Sequence, residues 1–138
     1  MMTNTNPVYE LVMVIDDTPE DLYITNRVIL KNNFASTVLQ FSMAQEALKY
    51  LQDNQSAIDK IPQIIFLDIH MPVMNGFEFL KAYDRLPDFI KQHNKIYVIS
   101  STFDEGDIIN VRRDKNAKDF FEKPLTREAM EKVLQQKI

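Results

Sequence analysis

The feature that most constrains this chain is the run Ile64-Ile65-Phe66-Leu67, four consecutive apolar residues that stop at Asp68. A short unbroken apolar run ended by a polar residue reads as a strand buried on both faces, as in a parallel sheet covered by helices. Asp68 then stands at the carboxyl end of a central strand, the edge at which open α/β sheets bind their ligands. Met71-Pro72 keeps a helix from starting at once, because the residue before a proline avoids the α region. Asn75-Gly76 marks a turn, and an amphipathic segment follows it. Taken alone, Asp68 reads better as a cap or turn residue.

Two further stretches change that balance. Leu11-Val12-Met13-Val14-Ile15 is a second apolar run, and it ends in Asp16-Asp17; Phe120-Phe121 leads into Glu122-Lys123-Pro124. Three strand ends thus bring carboxylates and an ammonium to one edge. Carboxylates packed together repel, so one of them must hold a proton or the group must find a cation. Hard oxygen ligands suit Mg²⁺, which needs few protein ligands and keeps several waters.

The rest of the chain alternates in the same manner. Strands are expected over 10–15, 37–41, 64–68, 95–100 and about 119–121. Thr18-Pro19-Glu20-Asp21 reads as a helix start, with Thr18 as cap, proline in the first helical position and acids in the first turn. Leu22, Ile24, Val28, Ile29 and Leu30 form the expected apolar face of that helix. Ser42 to Gln45 fits a capping box opening a helix to about Asp53. A third helix runs from Gly76 to about Leu86, with one or two further turns over 87–94. Thr102 to Glu105 is a second capping-box pattern, ahead of Ile108, Ile109 and Val111, and a last helix spans Thr126 to about Gln136. Strands alternating with helices of about 10–14 residues indicate βαβ units around a parallel sheet. Right-handed crossovers put helices on both faces. Periodicity leads to a doubly wound α/β fold and leaves the strand order open.

Composition removes several alternatives. A chain of 138 residues suits one domain with a good core, about 10–136, with residues 1–8 as a flexible lead-in. No cysteine is present, so thiolate chemistry is excluded, and a cytoplasmic location is compatible with that. Only Gly76 and Gly106 are available, which rules out a glycine-rich phosphate loop. A net charge of −4 argues against direct nucleic-acid binding. Neither a signal peptide nor an apolar run of membrane-spanning length appears, so no membrane partner is expected.

In order and spacing, these parts resemble the receiver domain of two-component response regulators, over about Glu10 to Gln136. Asp16-Asp17 follow the first strand, Asp68 the third with Met71-Pro72 and Asn75-Gly76 behind it, Ser100 the fourth, and Lys123-Pro124 the fifth. The resemblance is to the stand-alone, chemotaxis-regulator-like form, since no DNA-binding segment is expected after the last helix. It implies a flavodoxin-like five-stranded sheet in the order 2-1-3-4-5. It further implies that Asp68 accepts a phosphoryl group from a sensor histidine kinase or a phosphotransfer protein. Asp16, Asp17, Asp68 and the backbone carbonyl of His70 would hold Mg²⁺ or Mn²⁺, with Asp17 bound directly and Asp16 through water. Lys123 would pair with Asp68 and then with the phosphoryl oxygens, Ser100 would donate its hydroxyl to them, and the Lys123–Pro124 bond would be cis. Phe120 takes the aromatic switch position, without the hydroxyl of a tyrosine. Such a domain is a signalling switch rather than an enzyme, with self-phosphorylation from small phosphodonors and autodephosphorylation. A downstream target, or a second copy of the chain, would dock on the face of the helix after Ser100, the fifth strand and the last helix, where Ile108, Arg112, Arg113, Phe120 and Lys132 lie.

Two other classes compete. A degenerate receiver would bind partners without phosphorylation. Asp68-x-His70, with Gly106-Asp107 later, is also similar to the opening of dimetal phosphoesterase motifs. Those sites need several histidines, and this chain has only His70 and His93, the latter in a polar stretch that reads as surface.

Overall fold

The computed structural model describes residues 6–136. Its elements are β1 (Tyr9–Ile15), α1 (Pro19–Lys31), β2 (Ala35–Phe41), α2 (Ala44–Asp53), β3 (Ile64–Asp68), α3 (Gly76–Tyr83), α4 (Asp88–His93), β4 (Lys95–Ser100), α5 (Glu105–Arg113), β5 (Ala117–Glu122) and α6 (Arg127–Gln135), with a 3-10 turn at Ile58–Lys60. All strand pairs are parallel, in the order β2-β1-β3-β4-β5. This is the flavodoxin-like, doubly wound arrangement.

Successive residues of a strand point to opposite faces, and both faces are covered here. Met13, Ile15, Ile65, Leu67, Ile96 and Val98 pack with residues of α2, α3, α4 and α5 on one side. Val12, Val14, Ile64, Phe66, Tyr97 and Ile99 pack with α1 and α6 on the other. Double burial is why β1, β3 and β4 carry unbroken apolar runs. The register pairs Ile15 with Leu67, Asp68 with Ile99, and Ser100 with Glu122. Asp16, Asp68, Ser100 and Lys123 therefore emerge along one carboxyl edge.

Several local expectations shift. Ile24 and Leu30 are each 42% exposed, while Thr25 and Ile29 turn inward, so the buried stripe of α1 is narrower than its apolar content suggests. Thr18 is the N-cap and Pro19 the first helical residue, but the Thr18 side chain makes no cap bond. The Ser42–Gln45 capping box does not form: α2 starts behind Met43 without a side-chain cap. In α5 the box forms two residues later, with Asp104 and Asp107 exchanging side-chain-to-backbone bonds of 2.7 and 3.1 Å. A carboxylate at Asp107 satisfies the N-cap amide as well as one at Glu105 would, and the loop after Ser100 decides which is used. The segment after α3 breaks at Pro87 and resumes as the short α4.

Of the expected lead-in, residues 1–5 lie outside the described residues, and Val8 donates its N–H to the Asn33 carbonyl at 3.1 Å. Among the described residues no helix is long and apolar enough to cross a membrane.

Candidate functional site at the carboxyl edge of the sheet

Asp16 follows the last residue of β1 and is fully buried; Asp17 is half-buried; Asp68 closes β3 and is 3% exposed. Carboxylate oxygens from these three residues lie within 4.8 Å of one another. Asp16 Oδ1 accepts from the Thr18 N–H at 3.0 Å, and Asp68 Oδ1 accepts from the His70 N–H at 3.2 Å. These turns pin both carboxyl groups through their own chain two residues on. Burial, and next the neighbouring Asp16 charge, push the Asp68 carboxyl up to about 6, against the pull of Lys123 and the His70 N–H.

Lys123 comes directly after β5, where its N–H donates to the Ser100 carbonyl at 2.8 Å, and the Lys123–Pro124 bond is cis. Its side chain is only 8% exposed. The ammonium forms the anticipated ion pair with Asp68, but its hydrogen bonds go to other acids. It donates to Asp16 Oδ2 at 2.8 Å and to Asp21 Oδ2 at 2.7 Å, and stands 3.7 Å from Asp68 Oδ2. Burial works against its charge, yet the bonds to Asp16 and Asp21 carry its pKa above the usual lysine range. Asp21 is thus a fourth acid at the site. It lies four residues after Asp17, and in the sequence it reads only as one of the first-turn acids that mark a helix start.

Ser100 is buried; its hydroxyl donates to the Thr102 carbonyl at 2.6 Å. Phe120 is half-buried on β5, its ring centroid 4.9 Å from that of Phe103, with the Arg112 guanidinium 5.9 Å above it. Arg112, Phe120 and Lys132 share a surface cavity of ≈ 450 Å³ between α5, β5 and α6. Arg113 lies on another side of α5, in a groove with Phe77 and Leu80.

The histidines do not meet. His70 is exposed after β3, with Nε2 3.3 Å from Asp107 Oδ2. His93 is half-buried rather than superficial, its Nε2 3.1 Å from the Ile61 carbonyl, ahead of the start of β3. They occupy opposite edges of the sheet, so no histidine-rich dimetal site is assembled around Asp68.

The family model described as response regulator receiver domain matches residues 12–135. The two-component response regulator ORR21 of Oryza sativa is 30% identical over 129 residues, which cover 94% of this chain and 17% of that protein. The chain therefore spans under a fifth of the length of that relative. Among solved structures, a response regulator receiver protein from Dyadobacter fermentans superposes with a TM-score of 0.82 at 29% identity, covering 92% of this chain and 96% of that one. A two component response regulator from Cytophaga hutchinsonii superposes at 0.85 with 22% identity over 93% and 96% of the two chains, and shows the shared fold. With the match running from β1 into α6 and the acids gathered at one sheet edge, the chain belongs to the response regulator receiver domain family.

Proposed function

We propose that this domain is a phosphoacceptor switch in which Asp68 is the acceptor. The observation that carries this reading is a nearly inaccessible carboxylate at the end of β3, flanked by two further acids and a buried ammonium. Membership in the receiver family supports it.

The acid group fits a hard divalent cation. Three carboxylates offer oxygens within 4.8 Å of one another, and burial together with the Asp16 charge opposes ionisation of Asp68, which a cation would favour. Asp16, Asp17, Asp68 and the His70 carbonyl would hold Mg²⁺ or Mn²⁺. When bound, the ion neutralises charge on the acceptor and on the transferring group.

The chain's own residues supply the rest. Asp68 Oδ attacks phosphorus, and the bond from phosphorus to the donor's imidazole nitrogen, or to the acyl oxygen of a small donor, breaks as the aspartyl phosphate forms. A loose transition state asks mainly for positioning and charge neutralisation. The Asp16 and Asp68 turns give the first, and Lys123 gives the second as a mobile point charge. Ser100 leaves the Thr102 carbonyl to donate to a phosphoryl oxygen. That withdraws the hydroxyl from the loop before α5 and opens room beside β5 for Phe120. A sensor histidine kinase or a phosphotransfer protein is the donor. A target protein, or a second copy of this chain, reads the α5–β5–α6 face.

Incubation with acetyl phosphate tests the reading against a binding-only receiver. Phosphoryl incorporation that requires Mg²⁺ is expected. A folded protein that stays unmodified at saturating donor and Mg²⁺ would be a binding module instead.

A further inference from the structure

Lys123 has two sets of partners within reach. Asp16 and Asp68 belong to the three-acid group, whereas Asp21 does not. Asp21 projects from the first turn of α1 into a separate cavity of ≈ 240 Å³, lined also by Thr25, Ser101, Lys123 and Pro124. The shortest contact of the ammonium is the one to Asp21, 2.7 Å against 3.7 Å to Asp68. Asp21 is 31% exposed, so water can take over its hydrogen bonds when the lysine leaves; Asp16, fully buried, has no such substitute.

We propose that Asp21 is a positioning residue that holds the Lys123 ammonium back from Asp68 in the unphosphorylated protein and competes with the phosphoryl group for it. This rests on the phosphoacceptor reading. Phosphorylation brings oxygens that accept charge-assisted hydrogen bonds, and the ammonium swings from Asp21 onto them. The free energy of breaking the Lys123–Asp21 pair is then subtracted from the stability of the activated state. Asp21 thereby sets how readily the switch closes, without touching the transferred group itself.

The test is a double-mutant cycle read by fluorine NMR titration of beryllofluoride, a phosphoryl mimic, in saturating Mg²⁺. Asp21→Asn is expected to bind the mimic about threefold to tenfold more tightly than wild type, the scale of losing one partly buried competing ion pair. Asp21→Glu, which keeps a carboxylate within reach, returns affinity toward wild type. In the Lys123→Ala background the Asp21→Asn effect vanishes, because the two residues act as a unit. Asp21→Ser carries the same expectation as Asp21→Asn, should the latter fold poorly. Equal or weaker binding by Asp21→Asn and Asp21→Ser, with wild type binding normally, overturns the proposal alone. An equal gain with and without Lys123 also overturns it, since Asp21 would then act only as a general negative charge. No binding by wild type overturns the phosphoacceptor reading together with the proposal.

Discussion

Gly76 packs directly against the backbone of Asp68: a Cβ on Gly76 would stand 2.8 Å from the Asp68 carbonyl oxygen and 2.7 Å from Ile69 Cα. The Gly76 N–H also donates to the Ile69 carbonyl at 3.1 Å. The start of α3 is thus seated on the end of β3, and only a residue without a side chain fits the gap. Both obstacles are backbone, so neither can rotate away. Gly76→Ala should therefore destabilise the fold by about 1–3 kcal/mol, the usual cost of overpacking, and should displace Asp68 with it. Urea denaturation and acetyl phosphate labelling check the two effects. A variant as stable and as readily modified as wild type would show that the contact is not tight.

Val73 is a second constrained point in the same loop. It adopts φ 69, and the Met74 N–H donates to the Pro72 carbonyl at 2.8 Å, closing a γ-turn of the strained hand. A β-branched residue rarely tolerates that backbone. The side chain is 81% exposed, so little packing opposes its removal. Val73→Gly should relieve a backbone penalty of about 1–2 kcal/mol and lose about half of the gain to the freer unfolded chain. A rise in melting temperature is expected, and a fall would mean that Val73 makes stabilising contacts.

The raised Asp68 pKa has a definite consequence for stability in metal-free buffer. An acid with a higher pKa in the folded than in the unfolded chain binds more protons when folded between the two values. Stability then declines as pH rises through that window, from the ordinary 3.8 to about 6. Above it, the ionised carboxylate costs up to ~3 kcal/mol. Asp68→Asn, nearly isosteric and uncharged, should be more stable than wild type in EDTA near neutral pH, and the gain should fade below about pH 4. Millimolar Mg²⁺ should stabilise wild type by mass action, and Asp17→Asn should respond far less. Melting curves across pH decide this; a pH-independent difference would place the Asp68 effect elsewhere.

Switching should be visible on the proposed output face. Amide shifts with and without beryllofluoride are expected to change in α5, in β5 around Phe120, and in the neighbouring part of α6. Phe120→Ala should lose the Phe103 contact, along with much of that response. Changes confined to α1 and α2, with residues 104–135 silent apart from Lys123, would contradict the switch.

How far the chain could be read depended on the kind of signal. The sheet was legible because β1, β3 and β4 are buried on both faces, and continuous apolar runs stop abruptly at Asp16, Asp68 and Ser100. Their convergence followed from parallel strands sharing one carboxyl edge. The bond from Lys123 to Asp21 was not legible, because Asp21 lies 102 positions away and resembles any first-turn acid. The capping residues were ambiguous for a related reason: Thr102, Asp104, Glu105 and Asp107 give overlapping patterns, and only the path of the loop selects one pair. The exposed Ile24 and Leu30 show the limit of apolar content as a guide to facing, since α1 buries only the stripe that meets the sheet.

The most direct measurement of the central claim is the intact mass of wild type and Asp68→Asn after incubation with acetyl phosphate and Mg²⁺, with the modified residue mapped after peptide digestion. One phosphoryl group on wild type, located at Asp68 and lost on adding EDTA before the donor, is the expected result, with Asp68→Asn folded and unmodified. An unmodified wild type, or modification of Asp68→Asn at the wild-type level on another residue, would contradict it.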